Sequence, residues 1–121
     1  MVFYIEFYKR ENGSQPIKEY LDSLDRKQRE KTLNKIDLLK ERGNWLREPD
    51  SKHLGDGIFE LRIQQGSDRG RVLYFFVSEG RIVLTHGFMK RTKKTPRREI
   101  AAAKSYRNDY MAYSKGDNDE R

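Results

Sequence analysis

The residues best placed to do chemistry in this chain form one cationic run, His86-Gly87-Phe88-Met89-Lys90-Arg91-Thr92-Lys93-Lys94-Thr95-Pro96-Arg97-Arg98. Six of these thirteen residues are Lys or Arg and none is acidic. The run follows a strongly β-forming segment, Arg81 to Thr85, and leads into a helix-like segment that starts at Pro96. Cations fixed at the end of a strand cannot drift apart as they would in a tail. The self-repulsion calls for an anionic partner, and a nucleic-acid backbone fits.

Two further arginines have the spacing to join that run. In Ile58-Phe59-Glu60-Leu61-Arg62-Ile63-Gln64, period-two alternation puts Phe59, Leu61 and Ile63 on one face and Glu60, Arg62 and Gln64 on the other. Arg71 opens the next strand across a polar turn, so its guanidinium is expected to converge with that of Arg62. Arginine offers planar paired donors to a phosphate, and lysine a movable point charge. A structural reading of Arg62 stands beside this one, in which it pairs with Glu60 of its own face. Lys52 and His53 are expected in an exposed loop within reach of a phosphate.

Ordinary acid–base residues are scarce. His53 and His86 are the two histidines, and neither has triad or metal-ligand spacing. His86 alternates with Leu84 and Phe88 and reads as a satisfied, half-buried core histidine. The groups Glu41/Glu48/Asp50 and Asp22/Asp25 read as solvated surface, so no metal or other cofactor is expected. The absence of cysteine removes thiolate chemistry and disulfides.

The elements that must hold these residues are legible. With 121 residues the chain makes one domain, and a net charge of +7 again favours an anionic partner. No apolar run is long enough for a membrane span, so the expected location is the cytoplasm. Val2 to Tyr8 reads as a strand. Pro16 opens a short helix through Leu21, and Asp25 with Gln28 forms a capping box for a second helix that Gly43 stops. In that helix Leu33, Ile36 and Leu39 make the apolar stripe. Asn44 to Gly57 is expected to be loop, with Trp45 and Leu46 tucked against the core. Strands follow at Ile58 to Gln64, Gly70 to Ser78 and Arg81 to Phe88, the last two joined at Glu79-Gly80. A helix from Glu99 to Tyr113, with Ile100, Ala103, Tyr106 and Tyr110 on one side, ends the domain, and residues 114–121 form a polar tail expected to fray. The order β-α-α-β-β-β-α gives an α+β domain over residues 1–113, with a helical hairpin on a mostly antiparallel, twisted sheet.

Three stretches in this order carry a family resemblance: Lys52-His53-Leu54-Gly55-Asp56-Gly57-Ile58-Phe59-Glu60-Leu61-Arg62, Gly70-Arg71-Val72-Leu73-Tyr74-Phe75, and His86 to Pro96. Together they resemble the RelE/ParE toxin superfamily, in particular its phage-derived, HigB-like branch. The resemblance implies a RelE-like, microbial-RNase-like fold and the toxin of a type II toxin–antitoxin pair. Its implied activity is metal-independent cleavage of mRNA, commonly on the ribosome, with a helix-turn-helix, HigA-like antitoxin as partner. In that chemistry the ribose 2′-hydroxyl attacks the adjacent phosphate. The protein supplies in-line positioning, a base, an acid and charge stabilisation.

Carried over residue by residue, the resemblance implies that Arg71 and Lys90 stabilise the phosphate and Arg62 orients the backbone. Lys93 or Lys94 would then move the proton, and Lys52, His53, Arg91, Arg97 and Arg98 would bind RNA. Arg91 stands where the family more usually has Lys. Two other functions fit the same residues: a ParE-like gyrase inhibitor that cuts no RNA, and a non-enzymatic basic module that binds nucleic acid.

Overall fold

A computed structural model describes residues 2–120, with side chains through Tyr113. The elements are β1 (Tyr4–Phe7), α1 (Pro16–Ser23), α2 (Arg26–Arg42), β2 (Ser51–Gly55), β3 (Ile58–Gln65), β4 (Asp68–Val77), β5 (Arg81–Met89) and α3 (Arg97–Glu120). The five strands form one sheet in the order β1-β5-β4-β3-β2. β1 runs parallel to β5, and the other neighbours are antiparallel.

Local signals set the helix ends. Pro16 occupies the first turn of α1, where its missing N–H costs nothing. At α2 the backbone N–H of Gln28 donates to Asp25 Oδ1 at 2.8 Å. The Asp25 N–H donates in return to Gln28 Oε1 at 3.2 Å, closing the expected capping box. Such a cap contributes about 1 kcal/mol. Gly43 ends the helix with φ of 54°.

The sheet is covered on both sides. Ile17, Tyr20, Leu21 and Leu24 of α1, with Ile36 and Leu39 of α2, bury against Leu61, Ile63, Val72, Tyr74, Ile82 and Leu84. On the opposite face Ala103, Tyr106 and Tyr110 of α3 pack with Tyr8, Ile58, Leu73, Phe75 and Val83. α3 and the helical pair therefore sandwich the sheet.

The structure departs from the sequence reading in four places. Residues 51–55, expected as loop, form a fifth strand, so the observed order is β-α-α-β-β-β-β-α. Polar Lys52 and His53 with two flanking glycines hide its strand character, which comes from pairing with β3 and from a buried hydrogen bond between the Ser51 and Tyr74 hydroxyls. Trp45 is 74% exposed, and Leu46 alone of the pair is buried. Leu33 is exposed and Thr32 buried in its place, because Thr32 returns its hydroxyl hydrogen bond to the Gln28 carbonyl and needs no solvent. α3 begins two residues earlier than expected and its backbone continues past Tyr113. The fraying expected of 114–121 falls on residues whose side chains lie outside those described.

One close approach fixes how α1 sits on the sheet. Tyr20 lies flat over Gly87 and Gly70, and a Cβ on Gly87 would fall within the Tyr20 ring. Gly87→Ala is therefore expected to force Tyr20 off β5 and to lower stability by about 1–3 kcal/mol. A urea-unfolding midpoint equal to that of the wild type would show that the ring has room to move.

Candidate active site

Alternation along β3 and the register of its neighbours gather charged side chains on the α3 face. Arg62 is the direct cross-strand partner of Arg71, and Arg71 in turn pairs with Phe88 on β5. Glu60 lies two residues from Arg62 on the same face. One residue past the end of β5, the Lys90 N–H donates to the Arg69 carbonyl at 2.7 Å, which pins the start of the basic run beside β4.

Glu60 occupies the middle of this group and is 1% exposed. Its Oε2 accepts from Arg62 Nε at 2.9 Å and lies 3.7 Å from Arg71 Nε. Its Oε1 accepts a short hydrogen bond from the Thr95 hydroxyl. The chain leaves β5 at Met89, and Thr95 reaches Glu60 on β3. Residues 90–96 must therefore pass over β4, which lies between those strands, and this crossing accounts for the burial of Arg71 at 6% exposure. A carboxylate is tolerated in such a place when charged donors and hydroxyls saturate it.

Arg71 is left incompletely satisfied. Its Nη1 donates to the Gly70 carbonyl at 2.8 Å, while its Nε is buried with no hydrogen-bond partner. Buried donors rarely remain orphaned, so this guanidinium is set for one more acceptor. Burial pulls its pKa below the usual arginine value; Glu60 works in the opposite direction, and Arg62 and Arg69 add to the lowering. Lys90 is half-buried and is also held below the ordinary lysine value. Burial is the main cause, then the charge of Arg71, against a stabilising pull from Glu60 and further repulsion from Arg62 and Arg69. Four cations thus share a site with one buried carboxylate.

The other anticipated residues are dispersed around this cluster. Lys93 and Lys94, with Arg91, are exposed on the crossing segment, and Arg97 and Arg98 are exposed in the first turn of α3. Lys52 is the cross-strand partner of Glu60 and so shares its face at the sheet edge. His53 points to the other face, where its ring stacks on Phe59 and its Nε2 accepts from the Gly57 N–H at 3.1 Å. His86 is buried and held on both ring nitrogens, by Thr85 and by Glu99, which matches the structural role expected of it. Its pKa is lowered by burial, which outweighs the opposing influence of Glu99.

Sequence reasoning treated Glu60 only as a possible partner of Arg62, and it passed over Arg69 and Thr95. An acidic residue at an interior position of an otherwise apolar strand, two places before an arginine, was the available signal for Glu60. Arg69 sat in a segment read as turn. Thr95 gave no signal, because its role depends on the path taken over β4.

Among the described residues, no group of His, Asp and Glu is arranged to hold a metal ion, and no helix is long and apolar enough to cross a membrane. Compared with known proteins, the chain matches the family model for phage derived protein Gp49-like (DUF891) over residues 19–108. A search of curated proteins gave no match. The matched region runs from α1 into α3 and includes every member of the charged cluster, Glu60, Arg62, Arg69, Arg71, Lys90 and Thr95. The chain belongs to the Gp49-like family of phage-derived proteins, a RelE/ParE-like toxin family of toxin–antitoxin systems.

Proposed function

We propose that this protein is a HigB-like toxin that cleaves mRNA without a metal, most effectively on the ribosome, and that a HigA-like helix-turn-helix antitoxin neutralises it by covering the Arg62–Arg71–Lys90 face. The observation that carries this reading is the pairing of a cation-rich site with an orphaned Arg71 donor and a lysine held below its ordinary pKa. A surface for simple phosphate contact needs neither burial nor a perturbed lysine. A docking face for a protein such as gyrase needs them no more.

In the proposed reaction Arg71 and Arg62 hold the non-bridging oxygens of the scissile phosphate, and charge that develops on phosphorus is met by donors already in position. Lys90, as free amine, accepts the proton of the 2′-hydroxyl. The 2′-oxygen bonds to phosphorus as the bond to the 5′-oxygen breaks, and a 2′,3′-cyclic phosphate forms. The leaving oxygen takes a proton from the ammonium of Lys93 or Lys94 on the crossing segment. Assigning the base to Lys90 moves that role from the exposed lysines to the half-buried one, whose surroundings disfavour its charged form.

Glu60 does not touch the substrate in this scheme. It accepts from Arg62 Nε and draws Arg71 Nε to 3.7 Å. Arg62 Nη1 faces Glu48 and Arg71 Nη1 donates to the Gly70 carbonyl, so Nη2 of each arginine is the nitrogen offered to phosphate. It is a positioning residue.

Arg71→Ala and Lys90→Ala are each expected to lower cleavage by about 10²–10³-fold, the loss typical when one stabilising donor is removed. Primer extension on cellular mRNA after brief induction measures this, with the thermal unfolding midpoint of each purified variant as the control for folding. Cuts in translated frames that disappear in both variants and with a translation inhibitor are the expected result. Growth arrest with intact mRNA would instead point to gyrase.

The pH dependence tests the base. Cleavage is expected to rise with pH as Lys90 loses its proton, at a pH below that of an ordinary lysine. Glu60→Gln removes the influence that raises the Lys90 pKa, so the rise should move to lower pH. Arg69→Gln removes one that lowers it, so the rise should move to higher pH. Single-turnover rates across pH for the three proteins check the signs, and shifts in one common direction would exclude Lys90 as the base.

A further inference from the structure

A cavity of about 740 Å³ forms a groove between α2 and the edge of β3. Its size lies within the range of about 300–1,000 Å³ usual for small-molecule sites. β2 pairs with Ile58–Leu61 only, so past Leu61 no strand covers that edge of β3. The groove is lined from both sides of the sheet. Ile63 faces the helical pair, whereas Arg62 and Arg71 face α3, so the cavity turns around the uncovered edge and runs into the charged cluster.

Its chemistry is graded along that path. Lys31, Asn34, Lys35 and Leu38 line it from α2, at the spacing that puts them on one helix face. Leu38 and Ile63, with Pro49, give it an apolar wall, and the exposed amide of Asn34 offers both a donor and an acceptor. Lys35 is neutralised by Asp50 at 2.7 Å. Lys31 is not paired in that way: its ammonium donates to the neutral backbone carbonyl of Gln64 at 2.7 Å, which keeps the positive charge and leaves donors over. An apolar wall suits the face of a nucleobase, an amide its edge, and an unneutralised ammonium its phosphate.

From this arrangement we infer that the groove is a nucleotide subsite. It takes the nucleotide next to the scissile phosphate, with the base against Leu38 and Ile63, the base edge at Asn34 and the outer phosphate on Lys31. The inference rests on the RNA-cleaving reading and adds to it a place where base identity is sensed.

The test uses RNA that cannot react, a dinucleotide with 2′-deoxyribose at the attacking position, and the same molecule lengthened by one nucleotide at either end. Affinities are read by isothermal titration. Wild-type protein is expected to bind one of the two trinucleotides about tenfold more tightly than the dinucleotide. Lys31→Met and Asn34→Ala are each expected to cancel most of that gain while binding the dinucleotide as the wild type does, which also shows that they are folded. Neither side chain belongs to the cluster around Glu60. A dinucleotide bound through Arg71, with no gain on lengthening or with a gain the variants keep, overturns the subsite and leaves the catalytic reading in place. Failure to bind RNA of either length also overturns the subsite, whereas the catalytic reading stands or falls on the cuts in translated frames that primer extension shows.

Discussion

The constraint on which the rest of this structure depends is a carboxylate at the centre of a sheet. Glu60 is fully enclosed, and its desolvation has to be offset by Arg62, Arg71 and Thr95 together. Taking one partner from a buried ionic group typically costs about 3–5 kcal/mol, a large part of the stability of a small domain. The register of β3 against β4, the path of residues 90–96 over β4 and the start of α3 are therefore fixed by the same contacts that assemble the site. Fold and site are coupled here because they share one counter-ion.

That coupling explains how four cations stay close. Arg62, Arg69, Arg71 and Lys90 repel one another, and buried Glu60 with exposed Glu48, 3.4 Å from Arg62 Nη1, does not balance them. Burial is the main source of the depressed lysine, and the excess positive charge adds to it, since each neighbouring guanidinium makes a further positive charge less welcome. A more complete neutralisation would bring the lysine nearer to ordinary basicity, with the lowering by burial left in place. The imbalance sits where β4 is hydrogen-bonded to β3 on one side and β5 on the other, and a site built on paired strands keeps donors aimed without reorganisation.

The sequence made the scaffold and most of the cluster legible because both rest on short-range rules. Alternation placed Arg62 opposite the apolar face, the tight turn brought Arg71 across from it, and the capping box and Gly43 bounded α2. What it hid depends on contacts distant in the chain. β2 is a strand because β3 is beside it, and Lys52 joins the site only through its pairing with Glu60. Trp45 looked like core from its side chain alone, although the backbone around it turns that side chain outward. Thr95 meets Glu60 across thirty-five positions, a contact that no local pattern encodes.

The sheet edge links these points to recognition. A strand that stops early usually leaves its neighbour open to unwanted pairing, which proteins manage by covering or charging the edge. Here Lys31 takes the Gln64 carbonyl and the Arg62 N–H is taken by the Asp50 carbonyl, so the bare edge of β3 is blunted by hydrogen bonds from outside the sheet. The same device leaves a lysine, two arginines and an apolar wall along one continuous groove. The hydrogen bonds from Lys31 and to Asp50 thus oppose edge-to-edge association, while the short β2 leaves a route from one face of the sheet to the other. A full-length β2 would protect the edge equally well but would cut the groove off from Arg62 and Arg71, and only the shorter strand serves both ends.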